Sequence, residues 1–273
     1  MTSVFGDLIS LAAAAEQITV QQFNDGWVHR YTKNGKTRFS YGYQFDLNSG
    51  VSQQLATDKC ASSELLLDAG ISSTIHHSLV TSWVQDSAGK WQRSTVNINW
   101  AKRQSRAIVK NVTLPVIVKP VTGTSGEHVY LVKTNEELAK HLLTVVKAHR
   151  TAAISQFIPA KAEIRLIMLD NSLLLAYKKT AAAGEWRFNL SKGAVAELLE
   201  HSNVDETLVN SAQKALKALG LRVAAVDFLM SSDGPRLLEV NAGIMLNNLA
   251  QQGSAQKDIA IQSYRTILQK MFI

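Results

Sequence analysis

The stretch Val226-Asp227-Phe228 is followed ten residues later by Leu238-Glu239-Val240-Asn241-Ala242, with Asp233-Gly234 between them. A turn at that Asp-Gly pair between two apolar runs predicts a hairpin of strands 223–230 and 236–240. Side chains alternate along a strand, so Glu239 and Asn241 share one face, and pairing brings Asp227 beside them. Hard oxygen donors grouped in this way are what Mg2+ takes from a protein, phosphate oxygens and water completing its shell. The same three residues on a half-exposed sheet would be ordinary solvent-facing positions, and the spacing alone is compatible with both readings.

Working upstream, 115–119 reads as an apolar strand ending in Lys119, just before Gly123-Thr124-Ser125-Gly126. Glycines let backbone N–H groups curl toward phosphate oxygens, the two hydroxyls add donors, and a lysine at the strand end adds a point charge. A flexible turn after an edge strand is the competing reading. It is not a P-loop, because no Gly-Lys-Ser/Thr closes it ahead of a helix. A third cluster is basic: Lys178 and Lys179 end a strand, and Arg187, Asn189 and Lys192 follow in a loop. Such a cluster can neutralise a γ-phosphate and hold a carboxylate, or be a solvated basic edge.

The remaining pattern predicts an α+β chain. Helices are expected over 7–17, from a Thr57 cap to Gly70, and over 136–147, 195–201, 206–220 and 256–270. Asn34-Gly35 predicts a type I′ hairpin turn, and Asp170-Asn171 joins strands 163–169 and 173–178. Strands 79–84 and 91–98 are expected to pair across Gly89-Lys90, and the Arg-rich stretch 100–111 reads as a surface linker. No repeat is evident, and the mixed order of elements argues against a barrel or a doubly wound sheet.

Composition excludes little but directs much. The 273 residues are 46% hydrophobic and 19% charged, which argues against disorder. The formal charge of +7 suits a nucleic-acid surface or a site for phosphates and carboxylates. The densest basic stretch, Lys102 to Lys110, lacks interleaved aromatics, which disfavours nucleic acid as partner. Cys60 is the only cysteine and reads as a small buried hydrophobe. With no basic-then-apolar N-terminus and no membrane-length apolar run, a cytoplasmic enzyme is expected.

Over 57–253 the ordered motifs resemble the ATP-grasp superfamily, most closely its carboxylate–amine ligases, such as ribosomal-protein glutamate ligase, cyanophycin synthetase and glutathione synthetases. Asp58-Lys59 resembles the helix whose lysine contacts ATP phosphates, Val116 to Pro120 the strand with the second ATP lysine, and Gly123 to Gly126 the glycine-rich flap. Gln156-Phe157-Ile158 matches the hinge beside adenine, Glu163 the acid that takes ribose hydroxyls, and Arg165 an arginine on the same strand. Lys178 joins the nucleotide set. Glu185 to Leu190, with Arg187 and Asn189, followed by Lys192-Gly193, resembles the ligase loop that engages phosphates and the acyl substrate, and Lys179 falls where those enzymes carry a basic residue. Asp227, Glu239 and Asn241 match the metal-binding end.

The resemblance implies an ATP-grasp fold of two α+β lobes, divided as a short N-terminal unit (1–56), a lobe with the flap (57–153) and a lobe with the metal site (154–273). It implies ATP and Mg2+, with Mn2+ able to substitute, and amide or peptide bond formation through an acyl phosphate on an amino-acid or peptide substrate. A kinase-like phosphotransferase and a nucleotide-binding regulatory protein are the alternatives. The chain departs from the pattern in three places. His128 stands where the flap often has a glycine, Ala242-Gly243-Ile244-Met245 replaces a Ser-Pro-Gly pattern, and 1–56 is short for an N-terminal domain. The last leaves room for a second subunit, hence a homo-oligomer, to complete the pocket.

Overall fold

The computed structural model describes residues 3–81, 83–85, 87–123 and 126–273. Helix α1 (Val4–Ala14) starts at Ser3, whose hydroxyl accepts from the Gly6 N–H, and buries Phe5, Leu8, Ile9 and Ala12 at helical spacing. A four-stranded antiparallel meander follows: β1 (Thr19–Phe23), β2 (Val28–Lys33), β3 (Lys36–Tyr41) and β4 (Gln44–Phe45). Asn34 and Gly35 both take positive φ, +49° and +73°, as the predicted turn requires.

Next come α2 (Gly50–Thr57) and α3 (Lys59–Asp68). Thr57 ends α2 instead of capping its successor; its hydroxyl bonds back to the Gln53 carbonyl. Asp58 is the cap of α3 and accepts from the Cys60 and Ala61 N–H groups at 2.9 Å each. Cys60 is buried against Val121 and Ala153, and burial pushes its thiol up to about 11.

The smaller lobe contains β5 (His77–Val80), β6 (Trp83–Gln85), β7 (Trp91–Arg93), α4 (Ile98–Ile108), β8 (Val116–Lys119), β9 (Tyr130–Val132), α5 (Asn135–His149) and β10 (Thr151–Gln156). Its sheet runs β5-β10-β8-β9. Two expectations are corrected here. The stretch read as a linker is α4, capped by Asn97, because Trp100, Ala101 and Ser105 form a buried face that the intervening Lys and Arg residues obscure. The hairpin across Gly89-Lys90 is confined to β6 and β7, while β5 pairs with β10 and Ile98 already begins the helix. Val116, Val118, Ala152 and Ile154 pack against α4 and α5; the alternate residues Ile117, Lys119 and Ser155 face a cavity.

The larger lobe holds β11 (Ala160–Leu169), β12 (Ser172–Thr180), β13 (Val195–Leu199), α6 (Glu206–Leu219), β14 (Val223–Ser231), β15 (Gly234–Asn241), α7 (Asn247–Ala250) and α8 (Ser254–Met271). The antiparallel order is β13-β12-β11-β14-β15. Both faces are covered, which explains the near-continuous apolar run of β11. Leu166 and Met168 meet α2, α3 and α6, whereas Ile167 and Leu169 meet α1, α8 and the meander. The helix predicted over 195–201 is the edge strand β13, paired to β12 from Val195 to Leu199; sheet pairing overrides the helical preference of Ala, Glu and Leu. No helix among the described residues is long and apolar enough to cross a membrane.

Gly220 closes α6 at φ +66°, and a methyl group there would lie 2.9 Å from Ser52 Oγ, which itself donates to the Gly220 carbonyl. Gly220→Ala is expected to cost about 1–2 kcal/mol, read as a lower urea midpoint with unchanged slope.

Candidate active site

A cavity of about 920 Å³ lies between the β8–β10 face of the smaller sheet and the β11, β12 and β15 edge of the larger one. It stands at the upper end of the roughly 300–1,000 Å³ usual for small-molecule sites. Lys59, at the first turn of α3, and Lys119, at the end of β8, both line it. Lys59 Nζ donates to the Gly123 carbonyl at 3.0 Å, tying α3 to the flap. Lys119 is buried, and burial together with Lys59 lowers its ammonium to about 8 against the opposing pull of Glu239.

Glu239 and Asn241 line the cavity from β15, facing these lysines. Burial works to raise the Glu239 carboxyl, but Lys59 and Lys119 outweigh it and hold the group below the usual carboxylate range. Asn241 Nδ2 donates to Glu239 Oε1 and to Asp227 Oδ2, each at 3.2 Å. The predicted register is present: Asp227 pairs with Glu239 across the hairpin, beside a bulge.

Asp227, however, lies beneath the cavity floor. Its side chain is 1% exposed and is held by Arg165 through two 2.7 Å bonds and by Lys179 at 3.1 Å. Lys179 also pairs closely with Glu163. Two cations thus serve two buried carboxylates, and Asp227 takes the larger share. Arg165 and Lys179 drive the Asp227 carboxyl far below its usual value despite burial, whereas burial and Asp227 raise Glu163 to about 8 even with Lys179 beside it.

Part of this donor set suits a divalent cation. Glu239 is an ionised carboxylate open to the cavity, and the Asn241 amide oxygen accepts no hydrogen bond among the described residues. Both fit Mg2+, which needs only one or two protein donors when phosphates supply the rest. Asp227 has both oxygens engaged by cations and would join only by releasing one. No group of three His, Cys, Asp or Glu residues is placed to hold a metal among the described residues.

Gln156, Phe157 and Ile158 line the cavity; Gln156 Nε2 donates to the Pro115 carbonyl at 2.9 Å, and Phe157 meets Trp186 edge-on at 5.9 Å. Gly123 and Gly126 line it too, and Gly126, at φ +71°, lies against the Asn189 amide, so the flap touches the ligase-like loop. Thr124 and Ser125 lie outside the described residues. Arg187 reaches the cavity clasped by Glu185 at 2.7 and 3.0 Å. His128, in the flap, places Nδ1 2.7 Å from His149 Nε2.

Besides Asp227, two described residues predicted from the sequence do not line the cavity. Lys178 projects from the opposite face of β12 to Lys179 and pairs with Glu197 at 3.7 Å, the consequence of strand alternation. Lys192 is exposed at the end of a short 3-10 turn (Leu190–Lys192) and does not line the cavity. Sequence reasoning also passed over Glu185 as the partner of Arg187, and over Trp27, Tyr41 and Tyr43, which form part of the cavity wall. Their signal was available as aromatics crowding the turns of a short meander.

Two α+β lobes thus close on a cavity with lysines on one wall and carboxylates on the other. The fold is shared with D-alanine–D-alanine ligase from Bacillus anthracis complexed with ATP (TM-score 0.55, 19% identity, 82% of this chain and 71% of that one). It is shared also with a bifunctional glutathione synthetase from Pasteurella multocida (TM-score 0.54, 11% identity, 95% and 43%). The chain belongs to the RimK-like ATP-grasp domain family, whose model matches residues 56–267. Members of the superfamily generally use ATP with Mg2+. A probable alpha-L-glutamate ligase from Shewanella loihica is 32% identical over 166 residues, 60% of this chain and 54% of that protein. One from Vibrio vulnificus is 32% identical over 164 residues, 59% and 52%. The chain thus spans about half the length of these curated relatives.

Proposed function

We propose that this chain is an ATP-dependent, ADP-forming carboxylate–amine ligase acting on an amino acid or peptide. The observation that carries this reading is the pairing of Lys59 and Lys119 with Glu239 and Asn241 across one cavity, next to the flap. Gln156 to Ile158 bound the nucleobase end, with Phe157 and Trp186 as apolar walls. Lys59 and Lys119 hold phosphate oxygens, and Glu239 with Asn241 would hold Mg2+, or Mn2+ in its place. That ion, when bound, offsets phosphate charge as the γ-phosphoryl group is transferred.

A substrate carboxylate oxygen attacks the γ-phosphorus, the bond to the β-phosphate oxygen breaks, and ADP leaves. The amine then attacks the acyl carbon, loses its proton and expels inorganic phosphate as the amide forms. Arg187 and Asn189 hold the acyl substrate under the flap, and Lys179 supplies positive charge from below. Positioning, charge and exclusion of water carry the catalysis, and no side chain need act as nucleophile. Incubation with carboxylate and amine mixtures, ATP and Mg2+, read by mass spectrometry, should yield an amide with ADP. AMP as the product, or a stable phosphate ester with no amide, would overturn the proposal.

The lowered Lys119 ammonium sets a pH dependence. Bound phosphate favours the charged lysine, so nucleotide binding takes up a proton once the free protein has lost it. ADP affinity measured by calorimetry without divalent cation is expected to fall as pH rises above about 8. Lys119→Met should weaken ADP binding about tenfold or more at pH 7 and flatten that dependence; an unchanged profile would reject the role.

A further inference from the structure

The meander does more than cover the larger sheet. The turn before β2 holds Trp27 with its backbone carbonyl accepting from the Gly42 N–H at 2.7 Å. The indole lies directly on Gly42, where an added methyl carbon would come within 2.8 Å of the ring. Trp27 meets Tyr41 and Tyr43 edge-on, at 6.2 and 5.9 Å between ring centres. These rings remain open: Trp27 is 46% exposed and Tyr41 63%. The group is also fixed to the catalytic strand. Ile244, just beyond Asn241, donates its N–H to the Tyr43 carbonyl at 2.9 Å, and Asn247 Nδ2 donates to the Tyr43 hydroxyl at 3.2 Å.

Trp27, Tyr41, Tyr43, Gln44, Met245 and Asn248 line the same cavity as Glu239 and Asn241. None of the six carries a formal charge, in contrast with the ionic part of the cavity. Open aromatic edges held rigid by a glycine and by backbone bonds are suited to a flat apolar group, since aromatic pairs favour edge-on and offset contact. Phe157 and Trp186 are engaged with each other in the hinge and ligase-loop part of the cavity. The meander therefore offers a separate aromatic surface continuous with the segment after Asn241.

We infer that Trp27, Tyr41 and Tyr43 form a specificity subsite for an aromatic side chain on the amino-acid or peptide substrate, seated beyond the Glu239–Asn241 face. The inference rests on the ligase reading for the word substrate, but the subsite itself is a binding claim. An uncharged wall disfavours acidic and basic side chains, because it offers no opposite charge in return for the water they would lose. The contact also gives the β1–β4 meander a role in substrate choice.

The test uses the full chain with Mg2+ and a non-hydrolysable ATP analogue. Binding of the dipeptides Phe-Glu, Ala-Glu, Lys-Glu and Asp-Glu is measured by calorimetry, with saturation-transfer NMR on the Phe ring. Phe-Glu is expected to bind at least tenfold more tightly than the other three, with strong transfer to its ring protons. Tyr41→Ser, at a largely exposed position, and Trp27→Leu should each remove most of that preference while leaving affinity for the ATP analogue as it was. Equal binding of all four dipeptides, a preference for Lys-Glu, or a Phe-Glu preference that survives both substitutions would overturn the subsite. So would sedimentation showing that the two variants abolish self-association without altering dipeptide binding, which would make the aromatic face a contact between copies of the chain. ADP release with ATP and the same dipeptides tests the ligase reading separately. Ring binding without turnover would retain the subsite and reject that reading.

Discussion

Replacing Glu239 by alanine is expected to lower Mg2+-dependent ATP turnover by about 10²–10³-fold, the range found when one preorganised electrostatic group is removed from a reaction centre. Glu239 is the carboxylate of the hairpin that faces the cavity without a cationic side chain bonded to it, and it lies opposite Lys59 and Lys119. Its loss removes the ionised carboxylate proposed to hold the metal and the negative charge that offsets two neighbouring ammonium groups. Glu239→Gln keeps the shape and removes the charge, so it should be nearly as inactive. Circular dichroism of both variants should match the parent, since the residue is only partly buried on an edge strand. Near-normal ADP release by the Gln variant would sink the assignment.

Asp227→Ala is expected to act on stability, lowering it by about 3–5 kcal/mol as read by urea unfolding at neutral pH. The substitution leaves Arg165 and buried Lys179 with Glu163 as their nearest carboxylate, and an unpaired buried charge is costly. Its pH dependence follows from the direction of the shift. Asp227 is depressed in the folded protein, so its contribution is present above the unfolded value of about 3.9 and is lost as pH falls further. The gap between parent and variant should therefore narrow below about pH 4. A gap that stayed constant into acid would mean that Asp227 acts through packing and not through its charge.

These two outcomes separate residues that the sequence presents as equivalent. Asp227 and Glu239 are both acids within apolar strands of one hairpin, and nothing in their spacing distinguishes an anchor from an open donor. The bulge beside Asp227 and the neighbouring strands β11 and β12 decide it, because Arg165 and Lys179 converge on Asp227 from 62 and 48 residues away in the chain. Lys178 and Lys179 show the same limit: one register position separates the cavity from solvent.

Local chemistry was legible wherever it was decided locally. The turns at Asn34-Gly35 and Asp170-Asn171, the glycine end of α6 and the Asp227–Glu239 hairpin follow from backbone preference and spacing. So did the α+β character and the order of motifs that resembles the ATP-grasp superfamily. What the sequence obscured was decided by partners distant in the chain. The stretch of α4 looked polar because its buried face is only a few residues wide, and β13 looked helical because its pairing with β12 is invisible to a local count. Period, capping and turn chemistry act over a few residues and can be read from order alone. The charge state of Glu163, the burial of Asp227 and the aromatic wall from the meander depend on which distant groups exclude water together, and only the tertiary structure decides that.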